Sequence, residues 1–283
     1  MNVSTIMVIG AGQMGGGIAQ IMAAAGKKTY LNDVNIDIVS KRITVIEKLL
    51  TKDVHKGKMT EEQKTDALAN LIPSTDQKDA ADCDLVVEAI AENMAAKAKV
   101  FSNLDEICKP ACILTSNTSS LPITEIAACT KRPEQVIGMH FMNPVPVMKL
   151  VEIIRGIATS QETHDTIRGL SVELNKTPVE VRDMPGFVSN RVLQIMINEA
   201  IFCLYEGVAS AEDIDTVMKL GMNHPMGPLQ LADFIGLDTV LSIMETMHAG
   251  YADCKYRPCP LLRQYVNAGW LGKKSGHGFY KYN

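Results

Sequence analysis

Three glycines near the start of the chain have a spacing that could bind a phosphate. Gly10, Gly12 and Gly15 form G-x-G-x-x-G between an apolar run at residues 3–9 and a run with helical spacing. In a strand–turn–helix unit, the first glycine allows a tight turn, the second lets the backbone approach a pyrophosphate, and the third lets the helix pack on the strand. The amides and dipole at the helix start favour the negative charge.

An acidic residue completes this pattern. A second short strand is predicted at residues 29–31, and Asp33 follows its end, about 20 residues after the glycines. A carboxylate there would accept hydrogen bonds from a ribose diol and repel a 2′-phosphate, which favours NAD over NADP. A glycine-rich turn that binds nothing would leave Asp33 unexplained. Two further glycines, Gly16 and Gly17, are expected to ease close packing of the helix.

Bound NAD implies hydride transfer, and oxidation of an alcohol also needs a base for the hydroxyl proton. Histidine suits that role because its pKa lies near neutral pH. Of six histidines, only His140 follows a predicted strand at the cofactor edge, at residues 135–139. Glu152, in a further predicted strand, could hold the other ring nitrogen. The alternatives are a structural histidine and a surface glutamate.

The predicted elements would bring polar residues together. The polar clusters at residues 92–93, 117–120 and 140–143 each follow a predicted strand, and ligands of open parallel sheets bind beyond the carboxyl ends of the strands. These clusters should therefore meet the glycine turn in one crevice. The remaining predicted strands are 84–90, 111–116, 149–154 and 178–181, and the predicted helices of this part are 36–54, 61–71, 97–108 and 161–174. Thr60 and Gln63 should form a capping box.

The pattern changes after residue 184, where no strand alternation is evident up to residue 270. The long apolar run at 187–205 predicts a buried helix, in a core or against another subunit. Further helices are expected to begin after Ser210 and after Pro228, and another is expected to be capped by Asp238. A last helix at 260–268 should precede a short aromatic strand at the chain end. We therefore expect an α/β Rossmann-like, doubly wound, mostly parallel sheet at 1–184 and an all-α domain at 185–283.

Composition excludes several classes of protein. A chain of 283 residues with a formal charge of −4 has no basic surplus for nucleic acid, and no apolar run is long enough for a membrane span. We expect no signal peptide, because no basic stretch precedes a long apolar run in the first ten residues. The seven cysteines have no metal-ligand spacing, so we expect reduced thiols, no metal and a cytoplasmic protein. Lys48, Lys52 and Lys56 share a helix face, which is either solvated or a site for a phosphorylated substrate tail.

Five sequence blocks carry a family resemblance over the whole chain. GAGQMGGGIAQ, SNTSSLPI, GMHFMNPVPVMKLVEII, DMPGFVSNR and GKKSGHGFYKY occur in this order. Together they resemble the L-3-hydroxyacyl-CoA dehydrogenases, most closely the bacterial, clostridial-type members that act on 3-hydroxybutyryl-CoA. The resemblance implies NAD-dependent interconversion of acetoacetyl-CoA and 3-hydroxybutyryl-CoA, and a homodimer through the helical domain.

The resemblance also implies residue roles. His140 matches the general base and Glu152 its partner, Ser119 would bind the C3 oxygen, and Asn190 would hold the substrate near the thioester carbonyl. Lys52 and Lys56 fall where related enzymes meet the CoA phosphates. The expected cofactor contacts are Gly10, Gly12, Gln13, Met14, Gly15, Asp33, Ala91, Glu92, Lys97, Asn117, Ser119, Asn143 and Lys274. Other readings are a broader acyl-chain range, a free hydroxy acid as substrate and a structural role.

Overall fold

The protein divides into two compact units. The computed structural model describes residues 3–282, and its backbone contacts separate Met1–Asp183 from Met184–Asn283. This division falls one residue before the expected domain boundary.

The first unit is built on one eight-stranded sheet. Its strands are β1 Thr5–Ile9, β2 Lys28–Asn32, β3 Leu71–Ser74, β4 Leu85–Glu88, β5 Ile113–Ser116, β6 Val136–Phe141, β7 Leu150–Arg155 and β8 Thr177–Arg182. They lie in the order β3-β2-β1-β4-β5-β6-β7-β8, and every neighbouring pair is parallel except β6 with β7. The run from β3 to β6 has the strand order of doubly wound nucleotide-binding sheets. The predicted fold class is therefore confirmed.

Helices connect the strands of this sheet. They are α1 Gln13–Ala24, α2 Ile36–His55, α3 Glu61–Ala69, α4 Met94–Ile107, α5 Ile123–Ala127 and α6 Gln161–Glu173. Side-chain caps fix several helix starts. The Thr60 hydroxyl accepts the Gln63 backbone N–H, and the Gln63 side chain accepts the Thr60 N–H, so the predicted capping box is present. Apolar residues of α1, α2 and the central strands form the core beneath the crevice.

Three details of this unit differ from the sequence prediction. Leu71 starts β3 instead of ending a helix, and Pro73 lies inside that strand, which is tolerated because β3 is at the sheet edge. The five-residue helix α5 was not predicted. His140 lies within β6 instead of following it, so its position is set by strand register.

The second unit is helical. It contains α7 Ser189–Tyr205, α8 Ala211–Gly221, α9 Pro228–Ile235, α10 Leu237–Tyr251 and α11 Pro260–Asn267. Ser210 caps α8 by accepting the Asp213 N–H, as its position before the helix indicates. The predicted helix start at residue 187 was wrong, because Phe187 has a positive φ of 49° and α7 begins two residues later.

Two other predictions for this unit were wrong. Gly236, with φ 101°, is the N-cap of α10, and Asp238 lies in the first turn, where it pairs with Lys274. The expected aromatic strand is replaced by a coiled segment with isolated bridges, Gly272–His277 and His277–Lys281. The Asp233 carboxylate accepts backbone N–H groups of this segment. These hydrogen bonds hold the segment in place although it pairs with none of the described strands.

Within residues 3–282, no helix is long and apolar enough to cross a membrane. The same part of the chain holds no group of three His, Cys, Asp or Glu residues arranged around a metal. All seven cysteines are free thiols.

Candidate active site

The glycine turn has the geometry that its spacing predicts. Gly10 adopts φ 102°, and a Cβ there would collide with the Ala89 carbonyl group on the neighbouring strand segment. A Cβ on Gly15 would overlap the Gly10 carbonyl oxygen, whereas Gly12 faces open space. The turn is therefore tightly packed at Gly10 and Gly15, and its backbone at Gly12 is open to the approach of a pyrophosphate.

The two extra glycines have the expected packing role. A Cβ on Gly16 would run into the Arg42 side chain, whose Nε donates to the Ala11 carbonyl oxygen at 3.0 Å. A Cβ on Gly17 would press on Val145. Both glycines therefore allow close approach of neighbouring groups to α1.

Asp33 lies at the end of β2 beside this turn. Its Oδ2 accepts the Ala11 N–H at 2.8 Å, and its Oδ1 accepts the Val34 N–H at 2.8 Å. A pocket of about 450 Å³ opens there, lined by Ile9, Gly10, Gly12, Asn32, Asp33, Val34, Gln77, Ala89, Ile90, Ala91 and Val100. A half-buried carboxylate, an open glycine and apolar walls fit the adenosine end of NAD. Met14 is half-buried in α1 and packs against the core.

Glu92 ties two strand ends together. One oxygen, Oε1, accepts from the Thr118 hydroxyl at 2.5 Å and from the backbone N–H groups of Ser119 and Ser120 at 2.9 and 3.1 Å. Burial by itself raises the pKa of Glu92, but the Lys97 ammonium and these hydrogen bonds outweigh it, so its pKa lies below the ordinary value. The carboxylate is therefore ionised at neutral pH and orients the turn that carries Ser119.

Lys97 is buried beneath the crevice and contacts two glutamates. Its side chain is 1% exposed, and its Nζ contacts Glu88 Oε1 at 2.7 Å and Glu92 Oε2 at 3.4 Å. It therefore supports Glu92 in this structure, and its direct contact with the cofactor stays a prediction.

Two more hydrogen bonds complete the convergence of the strand ends. Asn117 Oδ1 accepts the Phe141 N–H at 2.9 Å, which joins the end of β5 to β6. Gln13 Nε2 donates to Asn143 Oδ1 at 3.0 Å, which joins the start of α1 to the segment after β6. The three polar clusters are thus joined to one another by hydrogen bonds, and the last of them reaches the start of α1 through Asn143.

His140 and Glu152 form a buried pair. They are directly opposite each other in the antiparallel β6–β7 ladder, and His140 Nδ1 lies 2.8 Å from Glu152 Oε2. Their relative exposures are 6% and 2%. An imidazole held by a buried carboxylate can accept a proton at Nε2, while the carboxylate stabilises the resulting cation.

The remaining predicted residues lie elsewhere in the two units. Lys52 and Lys56 are exposed at the end of α2. In the second unit, Asn190 is half-buried in the first turn of α7, and Lys274 Nζ lies 2.7 Å from Asp238 Oδ2.

Sequence reasoning missed Glu88 and Ser116. Glu88 closes the apolar strand β4 with no exposed surface, and Ser116 Oγ donates to its Oε2 at 2.6 Å. The available signal was an acid at the end of an otherwise apolar buried strand, because a glutamate is almost never fully buried unless it is paired.

Known proteins match the chain along its length. Residues 5–184 match the NAD binding domain of 3-hydroxyacyl-CoA dehydrogenase, and residues 186–282 match its C-terminal domain. The chain is 62% identical over 282 residues to a probable 3-hydroxybutyryl-CoA dehydrogenase of Bacillus subtilis, covering 100% of this chain and 98% of the relative. A 3-hydroxybutyryl-CoA dehydrogenase of Clostridioides difficile is 51% identical over 278 residues, with 98% and 99% covered.

A solved structure agrees with these matches. The crystal structure of (S)-3-hydroxybutyryl-CoA dehydrogenase from Ralstonia eutropha superposes with a TM-score of 0.98 at 48% identity, covering 100% of both chains. A doubly wound sheet with this glycine turn and acid defines an NAD-binding dehydrogenase fold. Within that class, the chain belongs to the 3-hydroxyacyl-CoA dehydrogenase family.

Proposed function

We propose that the protein is an NAD-dependent (S)-3-hydroxybutyryl-CoA dehydrogenase, which interconverts acetoacetyl-CoA and 3-hydroxybutyryl-CoA. The observation that carries the proposal is the buried His140–Glu152 pair, at the same end of the sheet as the glycine turn. Relatives that are 51% and 62% identical over nearly the whole chain carry names for this activity.

In the proposed reaction, His140 removes the proton of the C3 hydroxyl group, or donates it when the ketone is reduced. Because Nδ1 contacts Glu152, Nε2 is the nitrogen assigned to this transfer. NAD, when bound, would supply the acceptor for the C3 hydride, and NADH would supply that hydride when the ketone is reduced. Ser119 would hold the C3 oxygen and Asn190 the thioester carbonyl. A positioned general base of this kind contributes roughly 10²–10⁴-fold to the rate.

The CoA part of the substrate would bind at the end of α2. Lys52 and Lys56 are both exposed and lie one helical turn apart, so their ammonium groups can face the same anion. Phosphates of CoA are the anions that this substrate offers. The cluster supports a CoA thioester over a free hydroxy acid.

We also propose a homodimer through the helical unit, in the cytoplasm. An apolar groove of about 740 Å³ lies along α7 and α8, and Val192, Val208 and Val217 at its walls are 67%, 70% and 60% exposed. Exposed apolar surface of this kind marks association sites in soluble proteins. A second copy of the chain would cover it. Seven free thiols favour a reducing compartment.

The decisive experiment is a steady-state assay with acetoacetyl-CoA and NADH, followed by the loss of NADH absorbance. We expect rapid oxidation of NADH, much slower turnover with NADPH, and the highest kcat/KM for the four-carbon thioester in a series up to sixteen carbons. Equal rates with free acetoacetate would favour a free hydroxy acid as substrate. No turnover over hours would favour a structural role.

A further inference from the structure

A buried network of charged and hydroxyl side chains lies behind the predicted cofactor crevice. Glu88 is at its centre, with no exposed surface. Its Oε1 accepts from Lys97 Nζ at 2.7 Å and from the Ile90 backbone N–H at 2.7 Å, and its Oε2 accepts from Ser116 Oγ at 2.6 Å. Three donors from α4, β5 and the segment after β4 thus converge on one carboxylate, and its orientation is fixed by all of them.

The network continues to the predicted substrate-facing turn. Lys97 Nζ lies 3.4 Å from Glu92 Oε2, and Glu92 Oε1 accepts the Ser119 N–H at 2.9 Å. Ser116 Oγ also accepts the Thr118 N–H at 3.2 Å. Glu88 is therefore connected to the Ser119 turn by two routes, one through the Lys97–Glu92 pair and one through Ser116.

We propose that Glu88 is a positioning residue for catalysis: it fixes Lys97, which fixes Glu92 and with it the turn at residues 118–120. This inference rests on the proposed function for the role of Ser119. A buried ammonium without its counter-charge is costly, so without Glu88 the Lys97 amino group would turn to Glu92 alone. That movement would pull the Glu92 carboxylate away from the Ser119 N–H. A displacement of about 1 Å in a positioning group can cost about 10²-fold in rate.

The competing explanation is that Glu88 only closes an ion pair in the core. The other end of β4 provides a matched control for this. Asp84, just before the strand, accepts the Ser4 and Thr5 N–H groups at 2.8 and 3.0 Å and pairs with Lys109 Nζ at 2.7 Å. This network is similar in kind, but it lies at the amino end of the parallel strands, away from the crevice.

The experiment compares Glu88→Gln, Glu92→Gln, the double variant and Asp84→Asn. Thermal unfolding defines a temperature at which all four are folded, and NADH titration gives the number of sites per chain. We expect Glu88→Gln to lower kcat/KM for acetoacetyl-CoA by about 10- to 100-fold with full NADH stoichiometry. The kcat/KM of the double variant should lie within about threefold of that of the poorer single variant, because both substitutions act through the same turn. Asp84→Asn should stay within about twofold of wild type despite its lower melting temperature.

Three results would overturn the inference: Glu88→Gln within about twofold of wild type, a double variant equal to the product of the singles, or an equal loss in Asp84→Asn. If Glu88→Gln does not fold, Ser116→Ala replaces it, and additivity with Glu92→Gln then counts against the inference. A wild-type enzyme without turnover would instead refute the proposed function. In that case the positioning role is tested by NADH affinity, because Glu92 and Ser119 are both predicted cofactor contacts. Equal NADH affinities of Glu88→Gln and Asp84→Asn would reject the positioning role.

Discussion

The Nδ1 atom of His140 lies 2.8 Å from Oε2 of Glu152, because the two residues are paired directly across β6 and β7. Side chains of opposed residues in an antiparallel pair project to the same face of the sheet. A slip of one residue would move either side chain to the other face. The predicted acid–base pair is therefore built by strand register within the core, and its orientation does not depend on a mobile loop.

Replacement of His140 by glutamine should remove the proton acceptor and leave the cofactor pocket intact. We expect kcat to fall by about 10²–10⁴-fold, with the dissociation constant of NADH within about twofold of wild type. Steady-state rates with acetoacetyl-CoA and a fluorescence titration with NADH measure the two quantities.

The matched control for this variant is His164→Gln. His164 is also buried and also has acidic partners, with Nδ1 3.0 Å from Asp165 and Nε2 3.2 Å from Glu180, but it lies on α6. Its replacement should change stability and leave kcat near wild type. A His140→Gln enzyme as active as His164→Gln would refute the assigned role.

Replacement of Asp33 by alanine should relax the choice between NAD and NADP. The Asp33 carboxylate lines the pocket beside the glycine turn, where it would bind a ribose diol and repel a 2′-phosphate. We expect kcat/KM for NADH to fall and that for NADPH to rise, so that their ratio drops by at least about tenfold, the equivalent of 1.4 kcal/mol. Steady-state assays with both cofactors measure the ratio. An unchanged ratio would count against the ribose assignment.

Removal of the two lysines at the end of α2 should weaken binding of the CoA tail. For Lys52→Ala with Lys56→Ala we expect a rise of about tenfold in KM for acetoacetyl-CoA at low salt, little change in kcat, and a smaller difference at high salt because exposed charges are screened. Lys131→Ala, an exposed lysine before β6, is the control and should change neither parameter. A KM that does not respond to the double substitution would leave these lysines as a solvated face.

A charge in the apolar groove should prevent the proposed dimer. Val192→Asp with Val217→Asp introduces two carboxylates into the groove of α7 and α8, and burying them against a second chain is costly. Light scattering should give twice the chain mass of 30.9 kDa for wild type and the chain mass for the variant. Val172→Asp, at an exposed position on α6, should remain dimeric. A monomeric wild type would contradict the proposal directly.

Much of the fold could be predicted because local signals agreed with the tertiary structure. The glycine turn, the capping box at Thr60 and the cap at Ser210 are short-range patterns, and each forms as its sequence indicates. Elements that depend on distant partners were missed or misplaced. β3 has only four residues and contains Pro73, and only its pairing with β2 makes it a strand.

The same distinction applies to the candidate site. His140 and Glu152 could be proposed from residue type and position, but the register that joins them is visible only in the sheet. Glu88 reads as part of an apolar run, and its importance depends on donors that are 9 and 28 residues away in the chain, Lys97 and Ser116. Sequence spacing carries no direct information about such contacts.

The ion pair at the amino end of β4 should make stability depend on pH in a defined direction. Burial raises the pKa of Asp84, but the hydrogen bonds from Lys109, Ser4 and Thr5 are stronger in effect and hold it well below its usual range. A carboxyl group whose pKa is lowered by folding contributes stability above its unfolded pKa, near 4, and loses that contribution as pH falls toward the folded value. Asp84→Asn should therefore cost about 1–3 kcal/mol in the free energy of unfolding at pH 7.

The difference from wild type should shrink progressively as pH falls below about 4, because the unfolded wild-type chain then takes up a proton at Asp84 while the folded carboxylate is still ionised. Urea unfolding at a series of pH values, down to the acid limit of the folded state, measures it. Asp66→Asn, an exposed position on α3, should change the free energy of unfolding by less than about 0.5 kcal/mol throughout. A cost for Asp84→Asn that stays constant with pH would mean that its hydrogen-bonding shape, and not its charge, stabilises this end of the sheet.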